Sequence, residues 1–174
     1  MMFDLAEAYQ GTGEDPISDL SYLYDETDVG ALAVLGAPED EMDLRVKAAG
    51  VHYQNLMDRD INPLIVAPDA EAKMLREYFN DERLEDYEVV ATKGKENRWD
   101  ELAELGSVLE GDEEVHFFTS DYALTQDIIA VRNEFPDIQT QFFGVETEKG
   151  HKKINSAVRN LRARAKYLDF SSLY

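Results

Sequence analysis

Residues 116–135, "HFFTSDYALTQDIIAVRNEF", decide how the rest of the chain is read. His116 to Thr119 is mostly apolar and has the look of a buried strand. Ser120 and Asp121 are small polar residues of the kind that cap helices. From Tyr122 to Phe135 the apolar residues recur at helical spacing. A strand that runs straight into a helix is half of a βαβ unit. Two roles compete for Ser120 and Asp121: a cap at the mouth of the helix, or part of a working site.

The same alternation continues in both directions. "GALAVLG" (30–36), "NPLIVAP" (62–68), "YEVVAT" (87–92), "EVHFFTS" (114–120) and "IQTQFFGVE" (138–146) read as five strands. Between them, "PEDEMDLRVKAAGVHYQNLMDRD", "DAEAKMLREYFNDE", "RWDELAELGSVL" and "DYALTQDIIAVRNEF" read as helices. In the first of these Met42, Val46, Ala49, Tyr53 and Met57 fall at steps of three and four; in the second Ala72, Leu75 and Phe79 share a face and Asp69 is the expected cap. Strands alternating with helices predict an α/β fold, a three-layer Rossmann-like sandwich with a mainly parallel five-stranded sheet. No linker or repeat divides the chain, so residues 1–174 read as a single domain. Two short helices, 2–10 and 16–24, are expected in an N-terminal helical segment (1–28), and a basic C-terminal helix over 149–174.

Composition narrows the function. No apolar run approaches the ~18 residues that a membrane span needs, and the first residues lack a basic start and apolar core, so no secretory signal and a cytoplasmic location are expected. The absence of cysteine excludes disulfides, thiol catalysis and cysteine-ligated metals. The net charge is −20, which disfavours nucleic acid and anionic membranes as partners and suits either a halophilic protein, the favoured reading, or an acidic mesophilic one. The charge is uneven: residues 1–148 carry a net −26, while 149–174 carry one acid and seven bases, a net +6. The basic helix either docks on the acidic body or offers a contact to a protein partner; no specific nucleic-acid binding is expected.

Right-handed crossovers bring every strand-to-helix loop to one edge of such a sheet, where ligands bind at the point of strand-order reversal. The loops concerned are "GAPED", "APDAE", "TKGKENRW" and "TSDY". They contain no dinucleotide G-x-G-x-x-G, no P-loop and no G-x-S-x-G elbow. The three histidines (His52, His116, His151) are scattered and read as core or surface residues. The acidic runs "PEDEMD" and "EGDEE" read as solvated helix starts and loops, and no metal site is expected. Gly36 would let a ligand approach the backbone closely. Arg45 would reach a phosphate or carboxylate, or pair with a neighbouring acid. Ser120, with the helix N–H groups near Tyr122, would hold an anion, and Tyr122 would stack on a base or close the pocket.

These loops resemble the YdcF/SanA/ElyC family, a Rossmann-like domain of largely unsettled function, over about residues 30–146. "VLGAPEDEMDLRVKAA" supplies Leu35, Gly36, Arg45 and Ala49 of a Leu-Gly strand end followed by an Arg-x-x-x-Ala helix. "DAEAKMLREYF" supplies Glu71, Ala72, Met74 and Tyr78 of the next helix. Asn97, Arg98, Asp100 and Glu101 echo the family's Asn-Thr-x-Glu-Asn loop, and Thr119, Ser120, Asp121 and Tyr122 match its Thr-Ser-x-Tyr. The chain departs from the pattern with Ala123 in place of the histidine, with Gln126 and Asp127 in place of Arg-Ala, and with "APD" in place of Ser-Gly-Gly. The resemblance implies a degenerate site that binds a small anionic or nucleotide-like metabolite, S-adenosylmethionine being a candidate, with hydrolase or transferase activity where the chemistry survives. Its residues would be Gly36, Arg45, Asp69, Glu71, Asn97, Ser120, Asp121 and Tyr122, with no catalytic group assigned. The rival expectation is a non-catalytic adaptor or interaction protein.

Overall fold

The computed structural model describes the backbone of residues 8–11 and the residues 29–93, 97–109 and 114–147. Their elements follow the expected alternation. Strand β1 (Ala8–Gly11) is followed by β2 (Val29–Val34), α1 (Met42–Met57), β3 (Leu64–Pro68), α2 (Asp69–Asp81), β4 (Val89–Thr92), α3 (Arg98–Leu105), β5 (Glu114–Ser120), α4 (Leu124–Glu134) and β6 (Gln139–Val145). Short 3-10 turns, Glu39–Glu41 and Asp121–Ala123, lead into α1 and α4.

The strand order is β1-β6-β5-β2-β3-β4, and every described pairing is parallel. The five strands read from the sequence therefore lie in the Rossmann order 3-2-1-4-5, with the reversal between β2 and β5. Strand β1 adds a sixth at the outer side of β6 and corrects the reading of residues 2–10 as a helix. The physical reason is tertiary. Without β1, that side of β6 would present an unpaired row of N–H and C=O groups, and residues 8–11 run parallel to it from Ala8 opposite Phe142 to Gly11 opposite Val145. The expected helix over 16–24 and the basic helix over 149–174 lie outside the described residues.

Two apolar layers sandwich the sheet. On one face α1 and α2 contribute Val46, Ala49, Tyr53, Leu56, Ala72, Leu75 and Phe79, which pack with Leu32, Ile65 and Phe118. On the other, α3 and α4 contribute Leu102, Leu105, Leu124, Ile128 and Val131, which pack with Ala33, Phe117 and Phe142. Adjacent residues of a strand thus feed opposite layers, as the two-residue period requires. Gly50 lets α1 and α2 approach, since a Cβ there would stand 2.5 Å from the Tyr78 ring. This frame places the ends of β2, β3 and β5 and the starts of all four helices at one edge.

Candidate functional site

At that edge lies an open cavity of ≈ 820 Å³. Its walls come from the loop after β2 (Gly36, Ala37, Pro38), the start of α2 (Asp69, Ala70, Glu71), the start of α3 (Asn97, Arg98, Trp99, Glu101) and the β5–α4 junction (Tyr122, Ala123, Gln126, Asp127). Arg45, Met42, Pro68 and Lys93 complete the lining. Its position beside the β2–β5 reversal is the one at which open α/β sheets bind ligands.

The floor consists of charged side chains held by one another. Arg45 projects from α1 under the end of β2 and is 1% exposed. Its Nη1 donates to the carbonyls of Leu35 (2.6 Å) and Gly36 (2.9 Å), while Nε and Nη2 donate to Ser120 Oγ at 3.2 and 2.9 Å. These carbonyls close β2, where the strand leaves the sheet and must find other donors. The Ser120 hydroxyl donates in turn to Glu41 Oε2 (2.9 Å), which also accepts from the Tyr122 hydroxyl (2.7 Å). Burial lowers the pKa of Arg45, and the nearby Arg98 lowers it further.

Arg98 anchors a second cluster. It donates from Nε to Asp127 Oδ1 (2.9 Å), from Nη1 to Glu101 Oε2, and from Nη2 to the Gly36 carbonyl (3.3 Å). Asp127 Oδ2 also accepts from Thr119 Oγ1 at 2.5 Å. Burial raises the pKa of Glu101 against the opposing pull of Arg98 and the Gly36 N–H. For Arg98, burial opposes the charged form, but Asp127 and Glu101 together outweigh it and raise the pKa.

The loop after β2 is tied down in an unusual manner. The Gly36 N–H donates to Glu101 Oε1 at 2.6 Å, and the Ala37 N–H to Glu71 Oε1 at 2.8 Å. In phosphate-binding α/β proteins the backbone N–H groups of the first loop face the ligand. Here the protein's own carboxylates hold two of them.

Six of the eight residues singled out from the sequence line the cavity: Gly36, Arg45, Asp69, Glu71, Asn97 and Tyr122. The other two do not. Ser120 is completely buried beneath the floor, and its side chain makes no cap bond. Asp121 turns aside, accepting from the Tyr122 N–H (2.8 Å) and from Thr147 Oγ1 (2.9 Å). At this junction Ser120 is a buried linker between Arg45 and Glu41. Asp69 is the first residue of α2 rather than its cap. Asn97 is the side-chain cap in this region, accepting from the Asp100 N–H at 3.0 Å. Gly36 has no need of glycine's conformational range; a Cβ there would meet Glu101 Oε1 at 3.4 Å, so a carboxylate already fills the space expected for a ligand.

Sequence reasoning missed Glu41, Arg98's pairing with Asp127, and Trp99. Glu41 belongs to the acidic run read as solvated, but it is 1% exposed while Glu39 and Asp40 are open to solvent. Its signal was helical phase: four residues before Arg45, it falls on the inward side. His52 and His116 are core residues, as their scatter suggested, and they are bonded to each other at 2.8 Å. Among the described residues no cluster of metal-ligating side chains occurs, and no helix is long and apolar enough to cross a membrane. A scan of protein-family models and searches of curated proteins and solved structures find no match to the chain.

Proposed function

We propose that the chain is a divergent YdcF-like protein that holds a small nucleotide-like metabolite in the crevice between the ends of β2 and β5. The observation that carries this reading is the ≈ 820 Å³ cavity at the strand-order reversal, with Trp99, Tyr122 and Pro38 beside polar groups in its wall. Asp69, exposed where β3 meets α2, occupies the place where dinucleotide folds keep an acid for ribose hydroxyls. Of the two ligand classes expected, a nucleoside-like molecule is favoured over a bare anion, because Glu71 and Glu101 hold the N–H groups that an anion would use. S-adenosylmethionine stays a candidate within that class. The acidic body suits a salty cytoplasm, where carboxylate repulsion is screened over ~3 Å at molar salt.

Trp99 is the single tryptophan of the chain and lines the cavity, so its fluorescence reports occupancy. Titration with adenosine and related nucleosides in molar KCl is expected to give a saturable change. Asp69→Ala should weaken binding by about tenfold to a hundredfold, as a hydrogen bond to a charged group is worth roughly 1.5–3 kcal/mol. A flat signal across nucleosides, or unchanged affinity in Asp69→Ala, overturns the reading.

A non-catalytic protein is the second reading, and one observation favours it. Arg45, Arg98, Glu101 and Asp127 are each bonded to at least two protein groups, so the floor is built for rigidity more than for proton transfer. Recovery of a bound nucleoside chemically unchanged after prolonged incubation supports this reading; turnover removes it.

A further inference from the structure

Strand β4 is the outermost described strand on its side of the sheet. It pairs with β3 from Val89 opposite Ile65 to Thr92 opposite Pro68, and the Ile65 N–H donates to the Glu88 carbonyl at 3.0 Å. Successive residues of a strand turn their backbone groups to opposite sides, so Glu88, Val90 and Thr92 address β3. Val89, Ala91 and Lys93 turn theirs outward. Two of these outward groups are taken by side chains. Arg76 Nη2, from α2 on one face, donates to the Val89 carbonyl at 2.8 Å. Glu104 Oε1, from α3 on the other face, accepts from the Lys93 N–H at 2.9 Å. Ala91 lies between them, small and exposed, and no described strand pairs with its outer side.

We propose that this edge is a strand-pairing surface for a second copy of the chain, held shut by Arg76 and Glu104. The geometry of an antiparallel pair carries the inference. Two β4 strands meeting about a two-fold axis can bond only through their outward residues. Centred on Ala91, the register sets Ala91 against Ala91 and Val89 against Lys93. The Val89 carbonyl of one copy then accepts from the Lys93 N–H of the other. Those are the two groups that the side chains hold. Shifting the axis to Val90 pairs Val89 with Ala91 and still needs the Val89 carbonyl. Shifting it to Thr92 pairs Ala91 with Lys93 and still needs the Lys93 N–H. No two-fold register with more than the Ala91 pair avoids both side chains. A charged edge ordinarily discourages pairing without regard to register; here the acceptor and the donor of the same intermolecular bond are each occupied. With both side chains withdrawn, two six-stranded sheets would run on as one.

The chain has no cysteine, so a single introduced one reports contact between copies. Ala91→Cys would stand against itself across the axis, at the Cα separation of about 5.5 Å that a disulfide accepts. Lys73→Cys, on α2 with its side chain 78% exposed, reports random collision. Both are oxidised in the full chain in molar KCl, where screening over ~3 Å suppresses repulsion between acidic chains. In the otherwise unchanged chain Ala91→Cys should cross-link no faster than Lys73→Cys. Adding Arg76→Ala and Glu104→Ala should speed it by about tenfold, the factor that freeing one hydrogen-bonded edge group supplies, and leave Lys73→Cys unmoved. Arg76→Lys with Glu104→Gln keeps a donor and an acceptor in place, and should stay at the collision rate. Melting curves show which variants fold. Should the double alanine variant unfold, Arg76→Ala and Glu104→Ala are tested singly by sedimentation for dimers, since each frees one of the shifted registers. Cross-linking at the collision rate in the folded double alanine variant, or monomers in both single variants, overturns the surface. Fast cross-linking in the unchanged chain, or in the Arg76→Lys and Glu104→Gln pair, overturns the guard.

Discussion

Strand β5 carries a buried polar chain at each end, and the two chains are built differently. At its last residue, Ser120 links Arg45 to Glu41 and Tyr122 beside an open cavity. Toward its start, His116 bonds to Glu114 at 2.8 Å and to His52 at 2.8 Å, and the rings of Phe118 and Phe143 pack on His52. The histidine chain contains no lysine or arginine: two imidazole rings and one carboxylate are bonded in series. A carboxylate can only accept, so His116 Nε2 donates to it, and one proton lies between His52 Nε2 and His116 Nδ1 on the side that the tautomers set. The cavity floor instead relies on two arginines that stay charged at any working pH, to which Glu101 and Asp127 are bonded directly and Glu41 through Ser120. Buried polarity as such therefore marks no site. The difference lies in fixed charge next to open space.

The largest effect should come from removing the fixed cation of the cavity floor. Arg45→Met deletes the donors to Leu35, Gly36 and Ser120 and leaves Glu41 buried without the nearest positive charge. Breaking a buried charge network from one side costs about 3–5 kcal/mol. Urea unfolding in molar KCl measures it, and a loss below about 1 kcal/mol would show that the floor is less dependent on Arg45 than on its packing.

Ser120→Ala should cost less, about 1–3 kcal/mol, the range for leaving buried partners unsatisfied. Arg45 keeps its two carbonyls and Glu41 keeps Tyr122, so only the link between the two is lost. The comparison sharpens here. Because Ser120 is wholly buried, the variant should lower stability by equal amounts with and without a bound nucleoside. A ligand affinity that falls while stability is unchanged would return Ser120 to the binding surface.

This serine also shows where sequence reading stops. The alternation of strands and helices was legible because each buried strand is a short apolar run and each helix repeats its apolar residues at three and four. The edge carrying the loops followed from parallel connectivity. What could not be read was the third dimension of polar contacts. Ser120 meets Glu41 across 79 positions and Arg45 across 75, while His52 meets His116 across 64. A serine before a helix has the same local signature whether it caps the helix or joins two distant ions. Strand β1 was illegible for a related reason: "AYQG" has little strand character, and it is the register with β6 that extends it.

The smallest effect, and the one that separates the two chains most cleanly, is pH dependence. Burial, and then the neighbouring His116, hold the pKa of His52 well below the ordinary value of 6.5. Above pH ~6.5 folded and unfolded states both keep this ring neutral, and it contributes no slope. As pH falls below 6.5, the unfolded chain takes up a proton that the folded protein refuses, so stability falls by up to about 1.4 kcal/mol per pH unit toward the folded pKa. The arginines of the cavity floor contribute nothing in this window because they do not titrate there. His52→Gln retains an N–H donor for His116 and removes the titration. Unfolding free energies measured from pH 7 to 5.5 should therefore fall less steeply in His52→Gln than in the wild type, with the two curves closing as the solution is acidified. The carboxylates titrate alike in both proteins and cancel in the difference. Parallel curves over that range would mean that His52 accepts its proton in place, with Glu114 balancing the charge through His116, and the two chains would then differ less than their composition implies.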